Sequence, residues 1–207
     1  MRSLISIVLA LILVTPLPVG AFNWNIIAAN LKKSTFSLQT LNGDVYCSGW
    51  VIDNKRDFGM TADHCVHSAW ATKGLIIVDS FQAFEVEGSE SLDYAVLYIQ
   101  GIDRPELKPR FNPLEVGQEV GAYGWARESG LYSHFRVGVI AAVNAPVDGL
   151  KGRWTIFDQP GIGGMSGGPV VDINGQVVSM TQRSDRRLIG LGRSIGEIWR
   201  ATRKYWK

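Results

Sequence analysis

From about residue 35 onward, apolar and polar positions alternate or gather into short β-branched runs. Turn residues interrupt them at intervals of roughly 8 to 12 positions, the rhythm of short antiparallel strands. The stretch STFSLQTLNGDVYCSGWVID at 34–53 holds an Asn42-Gly43 pair between two such runs, which predicts a tight hairpin. Further strands are predicted in GLIIVDSFQAFEV (74–86), DYAVLYI (93–99), QEVGAYGW (118–125), SHFRVGVIAAV (133–143), RWTIF (153–157), PVVDI (169–173) and QVVSMT (176–181). Helical spacing appears twice. A short helix is expected at 26–31. The final segment IGEIWRATRKYWK puts Ile195, Ile198, Trp199, Thr202, Tyr205 and Trp206 on one face, with Arg200, Arg203, Lys204 and Lys207 elsewhere. That face predicts a helix docked on the strands; a helix lying on a membrane surface is the alternative. The pattern is therefore all-β, a barrel or a sandwich, with a short C-terminal helix.

Between the strand-rich halves, residues 102–113 read IDRPELKPRFNP, with three prolines and mixed charge, and mark a linker. This divides the chain into 22–101, the linker 102–113, 114–194 and the helix 195–207. The opening MRSLISIVLALILVTPLPVGA has one basic residue, Arg2, ahead of an apolar run. Pro16 and Pro18 break that run before Ala21, the layout of a signal peptide spanning 1–21. Export to a periplasm or to the medium is the expectation; a retained membrane anchor is the alternative.

Composition adds little beyond an ordinary globular profile, 46% hydrophobic and 19% charged over 207 residues. Charge narrows the partners. Without Arg2, 20 basic side chains stand against 19 acidic ones, so no overall field attracts nucleic acid. The basic residues Arg183, Arg186 and Arg187 read as a solvated loop. GLGRSIG at 190–196 misses the dinucleotide fingerprint because position 195 is Ile, and no phosphate-binding loop follows. Balanced charge and the absence of repeats make a monomer the default.

Chemistry concentrates at residues 161–169, GIGGMSGGP, where five glycines in nine residues surround Ser166. A serine hydroxyl needs a base to take its proton, and that base needs a third group to orient it. Residues 164–168 satisfy G-x-S-x-G, the nucleophile elbow whose histidine follows the serine. Here His64, His67 and His134 all precede Ser166, and strand-like sequence follows it, so the elbow is excluded. The order His, Asp, Ser is met by His64 in MTADHCV, Asp93 in SLDYAVLYI and Ser166 in GMSGGPVV; Asp79 and Asp103 are rival acids outside that pattern.

With CSGWVI before the histidine and VVSM after the serine, these segments resemble the chymotrypsin-like serine peptidases over about residues 35 to 200. The resemblance implies two six-stranded-type β-barrels with the active site between them. It also implies a serine endopeptidase acting on polypeptides without metal or organic cofactor. Ser166 would be the nucleophile, His64 the general base and Asp93 its orienting acid, while the backbone N–H groups of Gly164 and Ser166 form the oxyanion hole. Cys47 and Cys65, the only cysteines, match the family's disulfide. Zinc held by Cys47, His64, Cys65 and His67 is the rival, disfavoured by adjacent ligands at 64 and 65.

By the same resemblance Pro160 would form the floor of the specificity pocket, and Ser179, Met180 and Thr181 the substrate-binding strand. A small or apolar residue before the cut is expected, with Arg193 as a route to an acidic one. One departure stands out: Met165 occupies the position of the acid that pairs with a new N-terminus in cleavage-activated members. Activity independent of such cleavage is expected. A catalytically silent binding module and an esterase remain the alternatives.

Overall fold

The computed structural model describes residues 23–67, 76–79, 81–127, 132–184 and 189–206. The predicted signal segment 1–21 and residues Arg186 and Arg187 lie outside them.

Helix α1 (Trp24–Ser34) begins at Asn23, whose side chain accepts from the Asn25 N–H, and runs past the predicted 26–31. It feeds strand β1 (Thr35–Gln39), which pairs with β2 (Val45–Asp53) through the Asn42-Gly43 turn. Gly43 supplies the positive φ, 85°, that this turn requires. Next come β3 (Phe58–Thr61), the one-turn helix α2 (Asp63–Val66), β4 (Ile76–Val78), β5 (Phe81–Ser89) and β6 (Tyr94–Ile99). These six strands close on themselves in the order β1-β2-β3-β6-β5-β4. Closure leaves no edge; one face of the strands carries fully buried Phe36, Leu38, Leu97 and Ile99, and the opposite face carries Trp50 and Met60, also fully buried.

The second half comprises β7 (Glu119–Trp125), β8 (Ser133–Val147), β9 (Leu150–Phe157), β10 (Pro169–Val171), β11 (Val177–Met180), β12 (Arg183–Ser184) and β13 (Gly190–Gly192). They form one seven-stranded sheet, order β11-β10-β7-β8-β9-β13-β12. It curls rather than closing by a continuous ladder; a single antiparallel bridge, Ser179 to Ser194, draws β11 toward the segment after β13. Val120, Ile140, Phe157, Met165, Val170 and Val178 pack on its inner side.

Residues 102–113 lie against both halves. Leu107 N–H donates to Val51 O on the first barrel at 3.0 Å, and Arg110 N–H donates to Val177 O on the second sheet at 2.8 Å. Helix α3 (Ile195–Thr202) and the 3-10 turn Arg203–Tyr205 return from the second half to the first. As its spacing predicts, Ile195, Ile198 and Thr202 are buried, and Trp206 joins the core of the first barrel. The docked helix, and not a membrane-surface one, is what the fold contains. No helix among the described residues is long and apolar enough to cross a membrane.

One side-chain junction holds this segment in place. Arg56 donates its Nε to Asp53 at 2.7 Å and its two terminal nitrogens to Lys204 O and Trp206 O, at 2.9 and 3.2 Å. Burial alone would raise the Asp53 carboxyl, but hydrogen bonds from the Arg56 side chain and from the backbone of Arg56 and Lys55 outweigh it and hold the group below its ordinary range. A depressed carboxyl contributes stability above its unfolded pKa of about 3.9 and loses it as pH falls through the folded value. Asp53→Ala is therefore expected to destabilise the chain by about 1 to 3 kcal/mol at pH 7. Urea unfolding should show the gap between the two proteins narrowing below about pH 4, and a gap unchanged to pH 2 would contradict this assignment.

Candidate active site

The sequence places His64 in the one-turn helix α2, one residue before Cys65, and the Cys47–Cys65 disulfide ties that turn to β2. His64 Nδ1 lies 2.9 Å from each carboxylate oxygen of Asp93, and the His64 backbone N–H donates to Asp93 Oδ1 at 3.0 Å. The ring nitrogen facing a carboxylate is therefore the protonated one, leaving Nε2 as the base. Asp93 is 6% exposed, whereas the His64 side chain is 39% exposed and reaches solvent. Asp93 also has φ +52, a left-handed backbone that costs energy in a residue with a side chain.

Sequence reasoning missed the residue that supports that backbone. Gln182, 1% exposed, donates its side-chain amide to Leu92 O and Asp93 O, both at 2.7 Å, while its Oε1 accepts from the Arg193 N–H at 2.6 Å. A buried glutamine at the end of a strand run gives no signal in one dimension, because its partner is 89 residues away.

Ser166 arrives from the second half. Its carbonyl accepts from the Ser48 N–H at 2.8 Å, which seats the glycine-rich loop on β2. Gly167, at φ +83, allows that approach: a Cβ there would lie 2.2 Å from Ser48 O and 2.3 Å from Thr61 Oγ1. Buried Ser48 adds a second tie, accepting from Trp125 N–H and donating to Gly164 O, both at 2.8 Å. No hydrogen bond joins the Ser166 hydroxyl to His64, a contact that unliganded sites commonly tighten only when substrate binds.

Gly164 has φ +102, and a Cβ there would stand 2.6 Å from both Arg127 N and Trp125 O. The carbonyl of Gly163 is held outward by the Arg127 N–H at 2.7 Å. In a trans peptide the following N–H points the opposite way, so the Gly164 N–H is directed away from Arg127 N. Among the described residues neither the Gly164 nor the Ser166 N–H donates to a protein acceptor. Met165 between them is 1% exposed and packed among apolar residues, so the loop is held by packing where an ion pair would otherwise stand.

An open cavity of about 1010 Å³ adjoins Ser166, walled by residues 160–163 and 181–184. Pro160 and Thr181 line it; Gly161 and Gly163 belong to the same wall. Ser179 and Met180 do not: both are fully buried, Ser179 donating to Arg193 O at 2.6 Å and Met180 packed in the core. Of the predicted strand residues, Thr181 alone lines this cavity. Arg193 is also displaced from the cavity, 5% exposed, stacked 4.2 Å over Trp154 and donating to Arg153 O, Lys151 O and Ser91 O. Its charge is absorbed by the fold, which removes it as a route to acidic selectivity.

Two groups of donors come close enough to consider a metal. Cys47, His64 and Cys65 cluster, but the two sulfurs are joined and offer no thiolate. Asp63, His67 and Glu85 form the other, with His67 Nδ1 3.4 Å from Asp63 and Nε2 3.5 Å from Glu85. Burial raises the Asp63 carboxyl above its ordinary range, against the pull of His67 and with the help of Asp93 and Glu90.

Residues 47–180 match the family of trypsin-like peptidase domains. No curated protein sequence matches the chain. Among solved structures, the active form of the Rv3671c protease from M. tuberculosis is similar, with a TM-score of 0.73 at 22% identity, covering 87% of this chain and 84% of that one. The HtrA-type protease AlgW with decapeptide gives 0.76 at 17%, covering 88% and 67%. The serine endoprotease from Yersinia pestis gives 0.72 at 18%, covering 88% and 66%. The match over residues 47–180, on a closed barrel facing a curled sheet, means that the chain belongs to the trypsin-like peptidase domain family, whose members are serine endopeptidases.

Proposed function

We propose that the chain is an exported endopeptidase that cleaves polypeptides through an acyl-enzyme on Ser166. The observation that carries this reading is the His64 ring held between both oxygens of a buried Asp93, beside a nucleophile loop with two undonated N–H groups. His64 Nε2 takes the Ser166 proton as Oγ attacks the scissile carbonyl, and Asp93 stabilises the imidazolium that forms. The oxygen of the tetrahedral intermediate is received by the Gly164 and Ser166 N–H groups, each such donor contributing about 2.7 to 4 kcal/mol. Collapse breaks the C–N bond, and the imidazolium protonates the leaving amine. Water then attacks the acyl ester by the same route in reverse and restores the serine.

Export rests on the signal-like segment 1–21 and agrees with the disulfide, which oxidising compartments favour. Met165 in an apolar setting supports activity that needs no freshly cut N-terminus. A polypeptide substrate is in keeping with the peptide bound to the similar AlgW.

The test is labelling of the oxidised full chain by a fluorophosphonate, with the modified residue mapped by mass spectrometry. Label on Ser166 that disappears in Ser166→Ala and in His64→Ala supports the triad. A folded, disulfide-bonded chain that takes no label would instead favour a peptide-binding module that retains the fold.

A further inference from the structure

Arg136 lines the cavity beside Ser166 and lies outside the sequence reading of the pocket. On β8 it is the register partner of Ala122 on β7, so the two side chains share the face of the sheet that lies beneath residues 160–163. Its guanidinium donates one nitrogen to Pro160 O at 2.9 Å, which places the charge at the wall where the cavity beside Ser166 deepens. Arg136 lines both the open cavity and the recess behind it, together with Pro160, Gly161 and Thr181.

Among the described residues the charge is unusual in having no counter-ion. Half-buried arginines elsewhere in the fold meet carboxylates: Arg104 pairs with Asp79 at 2.7 Å and Arg110 with Asp172 at 3.4 Å. Arg193, more deeply buried, has three carbonyls and an indole face. Arg136 has one carbonyl, and among the described residues no carboxylate pairs with it. A guanidinium carries five donors in a planar fork suited to a carboxylate, and a partly desolvated one gains most from an anion. Of the other charged groups lining the cavity, Arg127 and Arg183 carry the same sign. The one acid is Asp148, exposed in the turn between β8 and β9.

We propose that Arg136 selects an acidic side chain, glutamate or aspartate, at the position immediately before the scissile bond. The proposal rests on the peptidase reading and replaces the small or apolar preference expected from Pro160 alone. The neutral floor at Pro160 is supplied with charge from the neighbouring strand, which a sequence alignment to the floor position does not reveal.

The test uses internally quenched peptides identical except for Glu, Gln, Ala or Lys before the cut, with the full oxidised chain and its Arg136→Gln variant. Glu and Gln differ in charge and hardly in shape, so their ratio isolates the electrostatic contribution. The unsubstituted chain is expected to favour Glu over Gln by about 10-fold to 100-fold in kcat/KM, the range of a charge-assisted hydrogen bond, with Lys the poorest substrate. In Arg136→Gln the Glu to Gln ratio should collapse toward one, mainly through KM. A ratio near one in the unsubstituted chain, or a Glu preference that survives in the variant, overturns the proposal. A binding measurement separates this from failure of the peptidase reading. Fluorescence anisotropy of labelled Glu and Gln peptides on the inactive Ser166→Ala chain needs no turnover, and equal affinities there would overturn the selectivity whatever the chain catalyses.

Discussion

Ser166→Ala is expected to lower kcat/KM for any cleaved peptide by about 10⁶-fold while leaving the melting temperature of the chain nearly unchanged. The two halves of this expectation come from different atoms of the same residue. The Ser166 carbonyl does the structural work, accepting from Ser48 N–H at 2.8 Å, and alanine keeps it. The hydroxyl, which alanine removes, makes no hydrogen bond among the described residues. Residual turnover would reflect the oxyanion donors and substrate binding alone. Thermal unfolding followed beside peptide hydrolysis checks both halves, and a variant that folds normally yet retains substantial turnover would exclude Ser166 as the nucleophile.

The next largest effect belongs to Asp93→Asn, for which a fall of about 10⁴-fold in kcat is expected. The choice of asparagine is dictated by the backbone. Asp93 sits at φ +52, and asparagine is among the few residues that tolerate this region, whereas alanine would add strain to loss of charge. Gln182 would still donate to the residue 93 carbonyl, so the main chain should keep its place. What disappears is the pair of equivalent oxygens that faces His64 Nδ1 and its backbone N–H together. An amide presents one acceptor and one donor, favours the wrong tautomer, and carries no charge to stabilise the imidazolium. Single-turnover kinetics with an activated ester would separate this loss of acylation from any change in binding. A fall of less than tenfold would mean that Asp93 only orients the turn.

The parts of the fold legible in the sequence are those whose cause is local. The Asn42-Gly43 turn, the apolar face of α3 and the apolar-rich runs of β2, β6 and β7 are set by residues within a few positions of one another. Helix α2 and strand β12 are one turn and two residues long, too short to leave a period, and exist because their neighbours hold them. His64, Asp93 and Ser166 stood out because three motifs occur in one order along the chain. The strand register escaped. Of the predicted strand Ser179 to Thr181, Thr181 lines the cavity while Ser179 and Met180 are buried, a distinction that no one-dimensional pattern carries. Arg193 was read as facing the pocket and Arg136 was not read at all, for a common reason. Whether an arginine is neutralised by carbonyls or left facing a cavity depends on strands 40 or more residues distant for the first and 24 for the second.

The junction at Arg56 has a bearing on when this protein could become active during its own synthesis. Its guanidinium holds carbonyls 148 and 150 residues downstream, so the outer face of the first barrel waits for the last turns of the chain to leave the ribosome. His64 and Asp93 belong to that barrel and Ser166 to the sheet translated after it. A nascent chain would therefore carry the proposed base and its acid in an unfinished barrel, with the proposed nucleophile still to come. Order of synthesis then keeps the proposed catalytic groups apart until both halves have been made.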